Sequence, residues 1–503
     1  MNAPLTFLGV DIGAESGRLM AGSWDGHTIT LEEQHRFSNG AVPIGQTLRW
    51  DLLHLWQQIQ DSLSAAARSY GSSVRSIGVD TWALDYVLLS KSGEWLGLPY
   101  SYRDLRTSGV VEELIERLGR ERIFSESGTQ FMEINTLCQL VAAQKQTPEL
   151  LEQARKFLMI PDWIHWALCG AEVCEFTNAT TTQFVNPLTR QWSTALLDDL
   201  GIPTHFLPEI IQPGTHLGSL RSSLSKTSGL SGIPVIAPAT HDTGSAVVGV
   251  PTLKTGSASW AYISSGTWSL VGVELPNAAL GEAVQRYNFT NEGGVDGTYR
   301  LLKNVMGMWL IQQLRLAFVA AGHSYDYAHL VQLAAHAEPF RSLINPDHVR
   351  FLRPTNMVEE VQDFCRESGQ LVPETPGQLV RCVLEGLALA YRRVLSQIEE
   401  ITGEAIEVIH IVGGGGRNAL LNQFTADASQ KVVIAGPVEA TVLGNVLFQA
   451  KASGEISTLQ ELRTVVRDSF EHEMREFPPD SKQVAQWNDA FVRWLDLLKP
   501  NSR

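Results

Sequence analysis

The sequence begins the same way twice, and this repetition constrains the fold more than any other feature. Residues 5–12 form an apolar run that stops at Gly13-Ala14-Glu15-Ser16-Gly17, and 18–24 then resume extended character. In the second half, 258–263 form a strand-like run, Ser264-Ser265-Gly266-Thr267 a small-residue turn, and 268–273 a returning strand. Such a repeat is at domain scale, not at the short period of a solenoid. A chain of 503 residues is also too long for one ordinary core. Two domains are therefore expected, 1–250 and 251–503. The Pro-, Gly-, Thr- and Ser-rich stretch 251–257 would serve as the hinge.

Between these hairpins, strands alternate with helices. Asp25-Gly26 is a turn signal before a third strand at 28–31, 50–67 has helical spacing, and 74–80 reads as a buried strand. Helical patterns dominate 107–170. Later come a strand at 233–237 and a helix from 243, then a helix at 378–395 and a strand at 407–412. The glycine run Gly413–Gly416 follows, then a helix at 418–429 and a strand at 431–435. This alternation predicts an α/β fold.

Charge narrows the function. With 39 Lys and Arg against 54 Asp and Glu, the formal charge is −15, which repels nucleic acid and anionic membranes. Five scattered cysteines without a CxxC pair point to reduced thiols. No leader segment and no bilayer-length apolar run is legible, so a cytoplasmic location is expected.

Three segments could carry chemistry. The turn after Asp11 would expose successive N–H groups to an anion, with Arg18 adding positive charge and Asp11 facing a magnesium ion or its waters. An ordinary glycine hairpin reads equally well there. Asp242 lies between a buried strand and a helix, where open α/β sheets bind ligands, and could take a proton from an attacking hydroxyl. It could also simply cap that helix. In Asp80-Thr81-Trp82-Ala83-Leu84-Asp85, carboxylates could bind hydroxyls and an indole could cover the C–H face of a sugar. The plain alternative is a core tryptophan beside a turn. Gly413–Gly416 fails the dinucleotide pattern because position 418 is Asn, and no Walker-type phosphate loop or H-E-x-x-H zinc motif occurs.

Ten segments in one order resemble the FGGY carbohydrate kinases of the actin-like ATPase superfamily, most closely the branch that phosphorylates L-rhamnulose. They are Gly9-Val-Asp-Ile-Gly13, Ile77-Gly-Val-Asp-Thr-Trp82, Tyr102-Arg-Asp104, Glu175-Phe-Thr-Asn-Ala-Thr-Thr-Thr-Gln183 and Thr240-His-Asp-Thr243. Ser264-Ser-Gly-Thr-Trp-Ser269, Asn291-Glu-Gly-Gly294, Leu302-Lys-Asn-Val-Met-Gly307, Ile411-Val-Gly-Gly-Gly415 and Ala435-Gly-Pro-Val-Glu-Ala440 complete them. The resemblance implies two ribonuclease-H-like domains around a central cleft, with ATP and Mg2+ as cofactors. It implies that Ala14, Glu15, Ser16, Gly17, Arg18 and Thr267 hold the phosphates, and that Gln312 and Gly414 lie at the nucleotide. Asp80, Trp82, Ala83, His241, Asp242, Thr243 and Asn304 would meet the sugar, with Asp242 as catalytic base and Asp11 near the metal. Two residues depart from the family pattern, which has Ser in place of Glu15 and Gly in place of Ala83. Kinases of L-fuculose, L-xylulose or D-ribulose are the alternatives, and an actin-like nucleotide switch is the alternative of a different class.

Overall fold

The computed structural model describes residues 4–499, which divide into two compact units. Of the described residues, the first contains 4–257, 274–302 and 440–472, and the second 258–273, 303–439 and 473–499. This departs from a single cut at 250, because two later segments return to the first unit.

In the first unit β1 (Leu5–Ile12) pairs antiparallel with β2 (Ser16–Trp24), which pairs with β3 (Ile29–Ser38). On its other side β1 runs parallel to β4 (Val74–Thr81). Beyond β4 lie β5 (His216–Ser219) and β6 (Pro234–Ile236), giving the order β5-β6-β4-β1-β2-β3. β1 and β4 are buried along almost their whole length, as central strands require.

The helix Ala440–Ala452 shows why the C-terminal segment belongs here. A Cβ on Gly9 or Gly22 would come within 2.9 Å of a Val446 methyl, and one on Gly78 within 2.6 Å of the Gln449 amide. Glycine at these strand positions lets the helix lie directly on the sheet. Val442, Leu443, Val446 and Leu447 then share one core with Phe7, Met20 and Trp24. Two amides on the helix are equally buried. Gln449 Nε2 donates to the Leu8 carbonyl at 3.0 Å and Asn445 Nδ2 to Asp80 Oδ2 at 2.6 Å.

The second unit repeats the topology. β7 (Trp260–Ser265) forms a hairpin with β8 (Trp268–Leu275) and runs parallel to β9 (Val408–Val412). β9 runs parallel to β10 (Val432–Ala435), whose outer neighbour β11 (Arg475–Phe477) is antiparallel. The order β11-β10-β9-β7-β8 matches β5-β6-β4-β1-β2, including the antiparallel edge strand. The faint sequence repeat is thus a duplicated sheet.

Some local expectations shift. Residues 107–170 are not uniformly helical, because Lys156–Met159 is a strand paired with Tyr86–Leu89. Its sequence Lys-Phe-Leu-Met is short enough to suit either state. A hairpin of Ala41–Ile44 and Thr47–Trp50 also went unread. Among the described residues no helix is long and apolar enough to cross a membrane, and all five cysteines are free.

Candidate active site

The C-terminal ends of β1 and β4 place Asp11 opposite Asp80 in register, and Asp11 faces Arg18 across the β1–β2 hairpin. Arg18 donates to Asp11 Oδ2 from Nε at 3.0 Å and from Nη2 at 2.9 Å. The turn is tied by Gly13 N donating to the Ser16 carbonyl at 2.9 Å and by Asn39 Nδ2 donating to the Gly13 carbonyl at 2.8 Å. Gly17 must be glycine, since a Cβ there would stand 2.3 Å from the Phe37 ring. Ala14 is half-buried, whereas Glu15 and Ser16 are exposed. Asp80 is completely buried. Burial and then the charge of Asp11 push its carboxyl well above the usual range, against the pull of Asn445.

Thr81 bridges in parallel to His241, which brings the 240–243 segment to the same sheet edge. A buried carboxylate fixes that segment. Glu175 Oε2 accepts from Thr240 N at 2.9 Å and Thr240 Oγ1 at 2.7 Å, and Thr177 Oγ1 accepts from His241 N at 3.2 Å. Asp242 opens the helix Asp242–Val248. Its Oδ1 accepts from Thr243 N at 2.5 Å, but the cap position is His241 and no side chain caps the helix, so Asp242 is not spent on capping and 31% of its side-chain surface stays open. Packing around it raises its carboxyl above 3.8, reinforced by Asp11 and opposed by His241. His241 Nε2 is 3.4 Å from Asp242 Oδ1, and its Nδ1 is 3.1 Å from Glu292 Oε2 and 3.2 Å from Arg300 Nη2. Burial works against ionised Glu292, but Arg300 and His241 hold it below the usual range.

Trp82 and Ala83 follow directly after β4. Trp82 is 5% exposed and gives its indole N–H to Asp85 Oδ2 at 2.9 Å, while Ala83 is half-buried. The first unit therefore gathers Asp11, Arg18, Asp80, Trp82, Ala83, His241, Asp242 and Thr243 along one edge. Glu175, Glu292 and Arg300 were missed as supporting residues. The only signal was the company of Glu175 and Glu292 with Thr, Asn and Gly in the quoted motifs.

The second unit presents a different edge. Gly266 N donates to the Trp268 carbonyl at 2.8 Å, and Met308 N and Trp309 N donate to the Gly266 and Thr267 carbonyls at 2.9 and 3.2 Å. These bonds fix Thr267 against the start of the helix Trp309–Ala320, which carries Gln312. After β9, Gly413 has φ +84° and Gly415 lies so close to β7 that a Cβ would meet Ser265 Oγ at 2.0 Å. Gly414, between them, is exposed. Asn304 and Lys303 are half-buried on the Tyr299–Met306 strand, where burial pulls the Lys303 amine down to about 8 despite Asp347.

The duplicated α/β core carries carboxylates at one strand edge and small hydroxyl and glycine residues at the other. The same fold is seen in the xylulose kinase of Lactobacillus acidophilus, with a TM-score of 0.79, 16% identity and coverage of 98% and 97% of the two chains. Plasmodium falciparum glycerol kinase with ADP follows at 0.76 and 16%, covering 98% of each. Residues 6–249 match the N-terminal domain model of the FGGY family of carbohydrate kinases, and 261–453 its C-terminal domain model. The chain belongs to this family. It is a carbohydrate kinase that uses ATP and a sugar as its small-molecule partners, usually with a divalent metal. Among its relatives, the rhamnulokinase of Bacteroides thetaiotaomicron is 42% identical over 98% of this chain and 99% of its own. That of Halalkalibacterium halodurans is 44% identical over 92% and 97%.

Proposed function

We propose that the chain phosphorylates L-rhamnulose at its terminal hydroxyl to give L-rhamnulose 1-phosphate, in the cytoplasmic breakdown of rhamnose. The observation that carries the chemistry is Asp242, a partly open carboxylate with raised proton affinity beside His241 at the carboxylate-lined edge. The sugar follows from relatives named rhamnulokinase at 40–44% identity over 92% or more of this chain.

In this reading the N-terminal half, 1–250, carries the sugar site and base, and the C-terminal half, 251–503, the nucleotide site. Ala14, Glu15, Ser16, Gly17 and Arg18 meet phosphate, as does Thr267, with Gln312 and Gly414 at the nucleotide. Asp80, Trp82, Ala83, His241, Thr243 and Asn304 position the sugar. Asp242 takes the proton of the sugar hydroxyl as its oxygen attacks the γ-phosphorus, and ADP leaves.

Magnesium fits Asp11. Among the described residues no three His, Cys, Asp or Glu side chains form a metal cage. Mg2+ needs none, because it keeps waters and substrate phosphates and takes only one or two carboxylates. Asp11 offers a partly open carboxylate, and the buried Asp80 Oδ1 behind it has no hydrogen-bond partner. Bound there, the ion would neutralise charge on the phosphate oxygens. The test is ADP release with ATP and magnesium against L-rhamnulose, L-fuculose, L-xylulose, D-ribulose and glycerol. A higher kcat/KM for another ketose overturns the sugar and keeps the kinase. The methyl of Ala83 is the feature that would favour that outcome.

A further inference from the structure

Asp85 is 1% exposed, and every hydrogen bond it accepts has a partner that matters to the 80–85 segment. Its Oδ2 accepts from Trp50 Nε1 at 2.6 Å, Trp82 Nε1 at 2.9 Å and Tyr102 N at 3.3 Å. Its Oδ1 accepts from Gln139 Nε2 at 2.9 Å. The two indoles it gathers have ring centroids 4.2 Å apart. A buried carboxylate is an expensive way to hold two tryptophans unless their position matters.

The backbone beside it is strained. Leu84 has φ +78°, a region that a non-glycine residue rarely adopts, and Asp85 N donates to the Ala83 carbonyl at 3.0 Å. This is a tight three-residue turn of the uncommon hand. The Leu84 carbonyl accepts from Thr136 Oγ1 at 2.6 Å and from Gln139 Nε2 at 3.3 Å, so one amide grips both the turn and Asp85. Strain of this kind persists only where its surroundings over-determine it, and it concentrates at ligand sites. Trp82 N also donates to the Ile12 carbonyl at 3.1 Å, which ties the turn to the strand bearing Asp11.

We infer that Asp85 is a positioning residue for the sugar: it locks the Ala83-Leu84 turn and the Trp50–Trp82 pair so that the turn faces substrate at a fixed distance from Asp242. This rests on the proposed sugar site at Ala83. Asp85 itself touches no substrate. It governs how tightly the part of the sugar remote from the reacting hydroxyl is held, and so acts on sugar KM more than on kcat.

Protonation supplies a signature. Burial pushes the Asp85 carboxyl up to about 6, against the four donors. Among the ionisable residues near it, Tyr86 feels its charge, Tyr102 gives it a backbone N–H, and Arg106 reaches Gln139 Oε1 at 3.3 Å. Adding a proton turns an acceptor into a donor and costs Asp85 one of its bonds, to Gln139 on Oδ1 or to an indole or Tyr102 N on Oδ2. Sugar KM in the wild type therefore rises as pH falls through about 6.

The test compares wild type, Asp85→Asn and Trp50→Phe, which keeps a ring but loses the N–H. Asp85→Asn raises sugar KM about 10- to 100-fold, with kcat and ATP KM moving less than about threefold. The acid rise in sugar KM disappears. Trp50→Phe shifts the same way by less, and keeps the proposal testable if Asp85→Asn does not fold. Near-UV circular dichroism reads the indole pair without substrate, and its pH transition near 6 is lost in Asp85→Asn. A common rise in both KM values, a kcat loss at unchanged sugar KM, or a retained acid rise overturns the positioning role. If no sugar is phosphorylated by the wild type, the proposed function falls and the sugar role with it, while an unchanged dichroism overturns the clamp alone.

Discussion

In the first unit β1 runs beside β4 so that Asp11 stands opposite Asp80; in the second, β7 runs beside β9 so that Ser264 stands opposite Val412. The hairpin loops differ, closing on Ile12–Gly17 in one unit and Ser265–Ser269 in the other, but the strand order around them is the same. Their chemistry is opposite. One edge carries three acidic residues, Asp11, Asp80 and Asp242, with Arg18 and His241 among them. The other carries Ser, Gly and Thr with glycines pressed against Ser265. A carboxylate edge suits a metal and a proton acceptor, whereas backbone N–H groups and hydroxyls suit an anionic nucleotide without adding charge. In the proposed function, duplicated backbone sets where ligands arrive and side chains divide the labour.

The sharpest way to break this division is to neutralise one carboxylate. Asp242→Asn keeps the shape but cannot take a proton, so kcat falls about 10²- to 10⁴-fold while ATP affinity changes little. More than about a tenth of wild-type kcat would remove Asp242 from the role. The matching change on the other edge is Gly415→Ala, whose methyl would be driven into Ser265 Oγ. It should raise ATP KM about tenfold, with kcat at saturating ATP reduced far less. If Gly415→Ala lowers kcat as Asp242→Asn does, the two edges do not divide the work.

Sequence alone reached much of this, for particular reasons. The β1–β2 and β7–β8 hairpins were legible because apolar runs stop sharply at small residues. The duplicated order of the parallel strands was not, since it depends on which distant strands become neighbours. The return of the Ala440–Ala452 helix to the first unit was also hidden. It rests on Gly9, Gly22 and Gly78 being bare beneath Val446 and Gln449, a three-dimensional coincidence. At the site, Asp242 stands out by its place between strand and helix, whereas His241 enters only through the family resemblance. Glu292 and Arg300 do not stand out, because they meet directly across two paired strands, 3.1 Å apart, and which strands pair leaves no local pattern. Leu84 carries no sequence mark of its left-handed backbone.

The pH dependence sharpens the role of Asp242. Its carboxyl is raised above 3.8, so the base stays protonated to a higher pH than an ordinary carboxylate. The acid limb of kcat at saturating sugar should therefore lie above the usual carboxylate range. Stability moves the other way. A folded-state pKa raised above the unfolded one means the folded chain holds that proton more tightly. The contribution is fully present below 3.8 and is lost as pH rises through the raised value. A kcat profile flat down to pH 4 would contradict the raised proton affinity.

The smallest expected effect tests the one residue that blurs the comparison. Glu15 adds a carboxylate to the turn where the phosphates are proposed to sit, which would make the first hairpin repel what it binds. The structure places Glu15 in the exposed part of the turn, with its carbonyl accepting from Asn39 N at 2.9 Å. Charges in solvent are screened over about 8 Å at physiological salt and about 30 Å at 0.01 M. Glu15→Ser should therefore lower ATP KM by less than about twofold at physiological salt, and by more at low salt. The measurement is ATP KM for both proteins at the two ionic strengths. A drop of more than about fivefold at physiological salt would mean the carboxylate faces the phosphates. The first hairpin would then bind nucleotide less well than its counterpart, and the phosphate contacts would shift toward Thr267. No change at either salt would mean that the turn meets the phosphates through its backbone alone.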